Sequence, residues 1–95
     1  MTDTDPFVLR LYVTGMTSRS TRAIRIVRAL CEEHLAGNYN LEIVDVYQQP
    51  TRIQEDQVFA IPTLVKCSPF PLRRIIGDMS DRTRLMHGLG LPLET

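Results

Sequence analysis

Chemistry near neutral pH calls for a thiolate, an imidazole, paired carboxylates or an anchored cation, so the residues able to supply these come first. The two cysteines, Cys31 and Cys67, form neither a close pair nor the even framework that staples small secreted domains. Both read as buried or half-buried thiols that a reducing compartment keeps reduced. His34 and His87 are isolated, each near the end of a helical segment and without Cys, Asp or Glu at ligand spacing, so no metal site is expected. Asp78 and Asp81 flank Ser80 at a helix start, where carboxylates offset the helix dipole, and capping accounts for them without catalysis. The chain has no glycine-rich phosphate loop, no Ser-His-Asp candidate and no carboxylate pair in an evident cleft, so neither a catalytic residue nor a cofactor is expected.

Arginine is the remaining resource. Arg19, Arg22, Arg25 and Arg28 recur every third residue and spiral around their helix, interrupted by Glu32 and Glu33. Two readings stand. One is a solvated face with weak pairs such as Arg28 with Glu32; the other is an interface, favoured by Ile26 lying outside the buried arc among arginines. Lys66, Arg73, Arg74, Arg82 and Arg84 make the second half locally basic. Strand alternation sends Arg73 and Arg74 to opposite faces. A forked guanidinium there suits a carboxylate on a partner, although solvation alone also explains it.

The elements that must position these residues follow from periodicity. Phe7 to Thr14 is a run of β-formers with Phe7, Leu9, Leu11 and Val13 on one face and Val8, Arg10 and Tyr12 on the other, a central strand. Thr17 or Ser18 caps a helix that runs to about Leu35, with Ile24, Val27, Cys31 and Leu35 as its buried stripe, and Gly37-Asn38 ends it. Leu41 to Val46 is a second strand at the distance a parallel crossover requires. Pro50 to Gln57 holds one or two helical turns. Thr63 to Cys67 and Leu72 to Ile76 pair antiparallel across the stiff connection Ser68-Pro69-Phe70-Pro71. A final helix spans about Asp81 to Leu89, with Gly88 and Gly90 as stop signals. The order is βαβαββα, an α/β, thioredoxin-like plan.

That plan sharpens the chemistry. Its redox members keep a cysteine where the first strand turns into the first helix. Here the turn is Gly15-Met16-Thr17-Ser18-Arg19-Ser20, which holds no residue able to attack a disulfide. Ile61-Pro62-Thr63 resembles the strand-opening proline that is cis in such proteins; the alternative is an ordinary trans proline starting an edge strand. The 95 residues suit one domain, 1–95, with an ordered core of about 7–91. Hydrophobic residues are 43% and charged residues 23%, a globular balance with no run long enough for a membrane span. Lys plus Arg and Asp plus Glu number 11 each, which disfavours nucleic acid as a partner. Met1 to Asp5 reads as a short polar lead and not a signal peptide, so a cytoplasmic location is expected.

One run is far more specific than a fold pattern. Leu11-Tyr12-Val13-Thr14-Gly15, Ile43-Val44-Asp45-Val46, Ile61-Pro62-Thr63-Leu64-Val65-Lys66 and above all Pro69-Phe70-Pro71-Leu72-Arg73-Arg74-Ile75-Ile76-Gly77-Asp78-Met79-Ser80-Asp81-Arg82 closely resemble the KaiB family of circadian clock proteins, over about Phe7 to Leu89. The resemblance implies a non-enzymatic regulator that docks on the ATPase ring of hexameric KaiC, and that in a full clock also sequesters KaiA. It implies two folds: an assembled tetramer or dimer ordered βαββααβ, and a thioredoxin-like monomer that binds KaiC, both sharing about Phe7 to Val46. By position it points to Arg22, Lys66, Arg73 and Arg74 as partner contacts, with Pro62, Gly77 and Asp78 structural. Clock members commonly continue with an acidic tail and carry an acidic residue near Gly90, where this chain reads Leu91-Pro92-Leu93-Glu94-Thr95. KaiB-like proteins also occur beside KaiC-like ATPases without a full clock, in stress or signalling systems. The competing readings are a KaiB-like sensor domain of a histidine kinase and a thiol-dependent protein using Cys31 or Cys67.

Overall fold

The computed structural model describes residues 6–92, so the lead Met1–Asp5 and the last three residues lie outside the described part. Its elements are β1 (Phe7–Val13), α1 (Ser18–Leu35), β2 (Tyr39–Asp45), α2 (Thr51–Asp56), β3 (Thr63–Ser68), β4 (Arg73–Ile76) and α3 (Arg82–Leu89), the expected order. They form one sheet ordered β2-β1-β3-β4. β1 pairs parallel with β2 and antiparallel with β3, and β3 pairs antiparallel with β4. β2 begins two residues before the periodic run at Leu41, because Tyr39 and Asn40 extend the ladder opposite Phe7 and Val8.

Alternation along β1 decides the layering. Phe7, Leu9, Leu11 and Val13 join Ala23, Val27, Leu30, Cys31 and Leu35 of α1 and Leu85, Met86 and Leu89 of α3 in one core. Tyr12 turns to the other face and packs with Val44, Val65, Val58 and Ile53 beneath α2. The sheet is thus covered by two helices on one face and a short one on the other. No described helix is long and apolar enough to cross a membrane. Ile26, placed by its spacing outside the buried arc, is half-buried and packed against the larger core. The 18-residue helix lies close enough to the sheet to cover a wider arc than its stripe alone.

Helix ends follow local chemistry. The Thr17 side chain accepts the Ser20 N–H at 3.1 Å, which satisfies one of the free amides at the start of α1. Thr17→Ala is expected to cost about 1 kcal/mol, read as a lower urea midpoint with an unchanged slope. Asp81 caps α3 in the same way, accepting the Arg84 N–H at 3.1 Å. α3 closes at Gly90, left-handed at φ 74°, with Leu91 N–H returning to the Met86 carbonyl at 2.9 Å. Gly88, expected as a stop, lies inside α3. Its role is close approach: a Cβ there would meet the Ile75 side chain at 2.5 Å.

The Ile61-Pro62, Ser68-Pro69 and Phe70-Pro71 bonds are cis. The strand that Pro62 opens is interior, since β4 pairs on its outer side.

Candidate partner-binding surface

The turn between β1 and α1 is built from hydroxyls where a redox protein on this plan would place a thiol. Gly15 adopts φ 64° and donates its N–H to the Asp45 carboxylate at 3.2 Å. Thr17 Oγ1 and Ser20 Oγ lie 2.9 Å apart, and buried Ser20 Oγ also accepts the Thr14 N–H at 3.1 Å. The two thiols lie elsewhere. Burial, then the charge of Glu32, pushes Cys31 up to about 11. Burial also raises Cys67, against the opposing pull of Arg10. Near neutral pH both stay protonated, and neither supplies the attacking thiolate.

The residues singled out from the sequence fall into three places. Pro62, Gly77, Asp78 and Arg22 gather at the end of the sheet where α1 begins. Gly77, at φ 128°, donates its N–H to the Pro62 carbonyl at 3.2 Å and closes the β3–β4 ladder. The Asp78 carboxylate accepts from Ser80 N–H at 3.1 Å and Ser80 Oγ at 2.7 Å. Those bonds, and then the charges of Arg19 and Arg22, hold it below the usual carboxylate range.

Lys66 and Arg73 form a second group, directly opposite each other in the β3–β4 register. Like charges so placed repel. Lys66 is nevertheless 5% exposed, its Nζ 5.9 Å from the centre of the Phe7 ring. The ammonium also lies 3.9 Å from where a Cβ on Gly90 would stand, beside the C-terminal end of α3, which carries negative partial charge. Burial, then Arg73, pushes its pKa down. Arg74 goes alone to the opposite face, as alternation required, where its Nε donates to the Asp56 carbonyl at 2.8 Å.

The structure adds a polar network that residue spacing did not reveal. Asp56 is 8% exposed, and both its carboxylate oxygens lie 3.0 Å from Arg10 NH1. The Tyr12 hydroxyl donates to it at 2.5 Å, with the Arg52 carbonyl as a second acceptor at 2.9 Å. Arg52 grips Glu42 bidentately at 2.9 Å, and Glu42 also lies 3.4 Å from Arg10 Nε. Burial draws Asp56 upward, but the Tyr12 and Arg10 hydrogen bonds outweigh it and hold the carboxyl below its ordinary value. Glu42 is lowered chiefly by its bonds to Arg52. The available signal was a cation, Arg10, in a central strand two residues before a tyrosine on the same face; such a group demands a partner.

These contacts leave two kinds of surface. The loops carrying Met16, Tyr47 and Phe59 all leave the α1-start end of the sheet, and Met16 is 89% and Phe59 87% exposed. Exposed Phe70 and Leu72 lie in the β3–β4 connection at the opposite end. Exposed aromatics beside arginines are the composition of a protein-binding surface.

Comparison with known proteins gives the family and the fold. Residues 10–91 match the KaiB domain family model. The chain is 46% identical over 89 residues to the circadian clock protein KaiB3 of Synechocystis sp., covering 94% of this chain and 87% of that protein. It is 47% identical over 88 residues to the circadian clock oscillator protein KaiB of a Synechococcus sp., covering 93% and 80%. Among solved structures, the N-terminal domain of Synechococcus elongatus SasA superposes with TM-score 0.70 at 22% identity, over 82% of this chain and 74% of that one. Mitochondrial thioredoxin 3 of Saccharomyces cerevisiae superposes with TM-score 0.72 at 20% identity, over 90% and 78%. At those identities the likeness concerns the fold, which is thioredoxin-like. The chain belongs to the KaiB family of circadian clock proteins.

Proposed function

We propose that this protein is a non-enzymatic regulator, one cytoplasmic KaiB-like domain, that acts by docking on a KaiC-type hexameric ATPase in circadian timing or a related signalling system. The observation that carries the reading is the pairing of family membership over residues 10–91 with a β1–α1 turn made of Thr17, Ser18 and Ser20 instead of thiols. A thioredoxin-like scaffold without its nucleophile retains its surface. Arg22 beside Asp78, and Arg73 at the rim of the β3–β4 ladder, offer charge to acidic groups of the ATPase, while Met16, Tyr47 and Phe59 offer apolar area. Lys66 contributes by the field of a nearly buried ammonium.

In this reading the thioredoxin-like arrangement is the binding form, and an assembled form ordered βαββααβ is its storage state. The equilibrium between them sets a slow association rate. In a full clock the bound regulator also sequesters a KaiA-type protein, and a histidine kinase is the alternative further partner. The test is gel filtration of the purified protein with its cognate KaiC-type ATPase and nucleotide over hours. Co-elution is expected, and Arg22→Glu is expected to weaken it by about tenfold or more. Separate elution under every nucleotide condition would sink the proposal.

A further inference from the structure

Among the described residues, the outer side of β4 has no neighbouring strand. In an antiparallel ladder, residues alternate between those whose peptide groups turn inward to the partner strand and those that turn outward. Gly77 donates inward to Pro62, and the register continues through Ile75 opposite Leu64 and Arg73 opposite Lys66. Arg74 and Ile76 therefore turn their peptide groups outward. The Ile76 carbonyl confirms the direction, because the Arg84 guanidinium of α3 reaches across and donates to it. Beside this edge runs an open groove of about 400 Å³ between β4 and α3, lined by Arg74, Ile75, Asp81, Arg84, His87 and Gly88.

The charges around the groove are unbalanced. Arg10, Arg52 and Arg82 are each engaged in ion pairs. Arg73, Arg74 and Arg84 pair with no acidic side chain among the described residues; Arg74 and Arg84 are held instead by neutral carbonyls. Asp81 is the acidic residue of the lining, and its carboxylate is occupied by the N–H of Arg84. Leu72 and Ile76, each 43% exposed, add apolar area along the edge.

We propose that the β4 edge accepts an extended acidic segment of a partner protein as a fifth strand. The outward N–H groups of Arg74 and Ile76 and the Arg74 carbonyl would pair with the incoming backbone, and carboxylates on alternate residues would meet Arg84 and the neighbouring arginines. Arg84 occupies the Ile76 carbonyl until then, a charged guard on an edge that would otherwise pair indiscriminately. The inference does not depend on which ATPase the protein serves.

The test uses the full chain with a labelled Glu-Val-Glu-Val-Glu-Val peptide and a Lys-Val-Lys-Val-Lys-Val control. Saturation with the acidic peptide is expected to slow exchange of the Arg74 and Ile76 amides by at least about tenfold. Arg84→Glu is expected to weaken peptide binding by about tenfold or more. Ile76→Pro removes one outward donor and leaves the β3 ladder intact, and it is expected to do the same. If Ile76→Pro fails to fold, the surface variant Arg84→Glu and the exchange pattern still decide. Four results would overturn the proposal: no binding, equal binding of the basic peptide, protection at β2 instead of β4, or amides already protected by pairing of two copies.

Discussion

Replacing Asp56 by Ala is expected to lower folding stability by about 2–3 kcal/mol, seen as a lower urea midpoint at neutral pH. The carboxylate receives Arg10 and the Tyr12 hydroxyl where Tyr12 is fully buried. Removing one member of a fully buried charged network costs about 3–5 kcal/mol. Two features bring the figure to the lower side. The Tyr12 hydroxyl can turn to the Arg52 carbonyl, and Arg10, whose side chain is 31% exposed, keeps water and Glu42. Asp56→Asn keeps the shape and loses the charge, so about half the loss is expected.

The same residue gives the pH dependence its sign. The Asp56 carboxyl is held below its unfolded value, so its contribution is fully present above the ordinary carboxylate range and fades as pH falls through the folded value. The stability gap between the natural protein and Asp56→Asn should therefore close from about pH 5 downward. A gap that stays constant from neutral pH to acid would contradict the assignment.

The second large effect concerns close packing. Gly88→Val is expected to destabilise by about 2 kcal/mol or more, because it drives atoms into a filled space. A Cβ at this position would stand 2.5 Å from Ile75 Cδ1 and 2.6 Å from Cγ1, and Ile75 is part of the main core. Ala is a milder case. It adds only that Cβ, but relieving the approach to Cγ1 requires the branched Ile75 side chain to turn at χ1 within the core. Gly88→Ala is therefore expected to cost about 1 kcal/mol despite its better helix propensity. Combining Gly88→Val with Ile75→Ala should recover part of the loss, a favourable coupling of about 1 kcal/mol in a double-mutant cycle. Simple additivity would mean that the two residues do not share the space.

What the amino-acid sequence disclosed divides by range. Alternation in Phe7–Val13 and the Thr17 cap rest on neighbours a few residues away, and both hold in the structure. The β4 alternation held as well, with Arg74 crossing to the α2 face. Asp56 stayed invisible because its partners Arg10 and Tyr12 are 46 and 44 residues away, on a strand it meets only after the chain folds. Gly88 misled for the complementary reason. Locally a glycine near a helix end reads as a stop, and only the tertiary approach of Ile75 keeps it inside the helix. Lys66 belongs with these, since nothing near it in the chain announces that Phe7 and the end of α3 enclose its ammonium. Cation placement was thus legible by face and not by burial.

On the proposed function the protein binds its partner through its surface and not through a thiol. The most direct measurement is an equilibrium titration of the cognate KaiC-type ATPase with the natural protein and with the Cys31→Ala/Cys67→Ala variant, under reducing conditions with nucleotide. A complex is expected in both cases, with affinities within about threefold of each other, less than 1 kcal/mol. No complex with either protein in any nucleotide state, or a complex lost with the thiols, would contradict it.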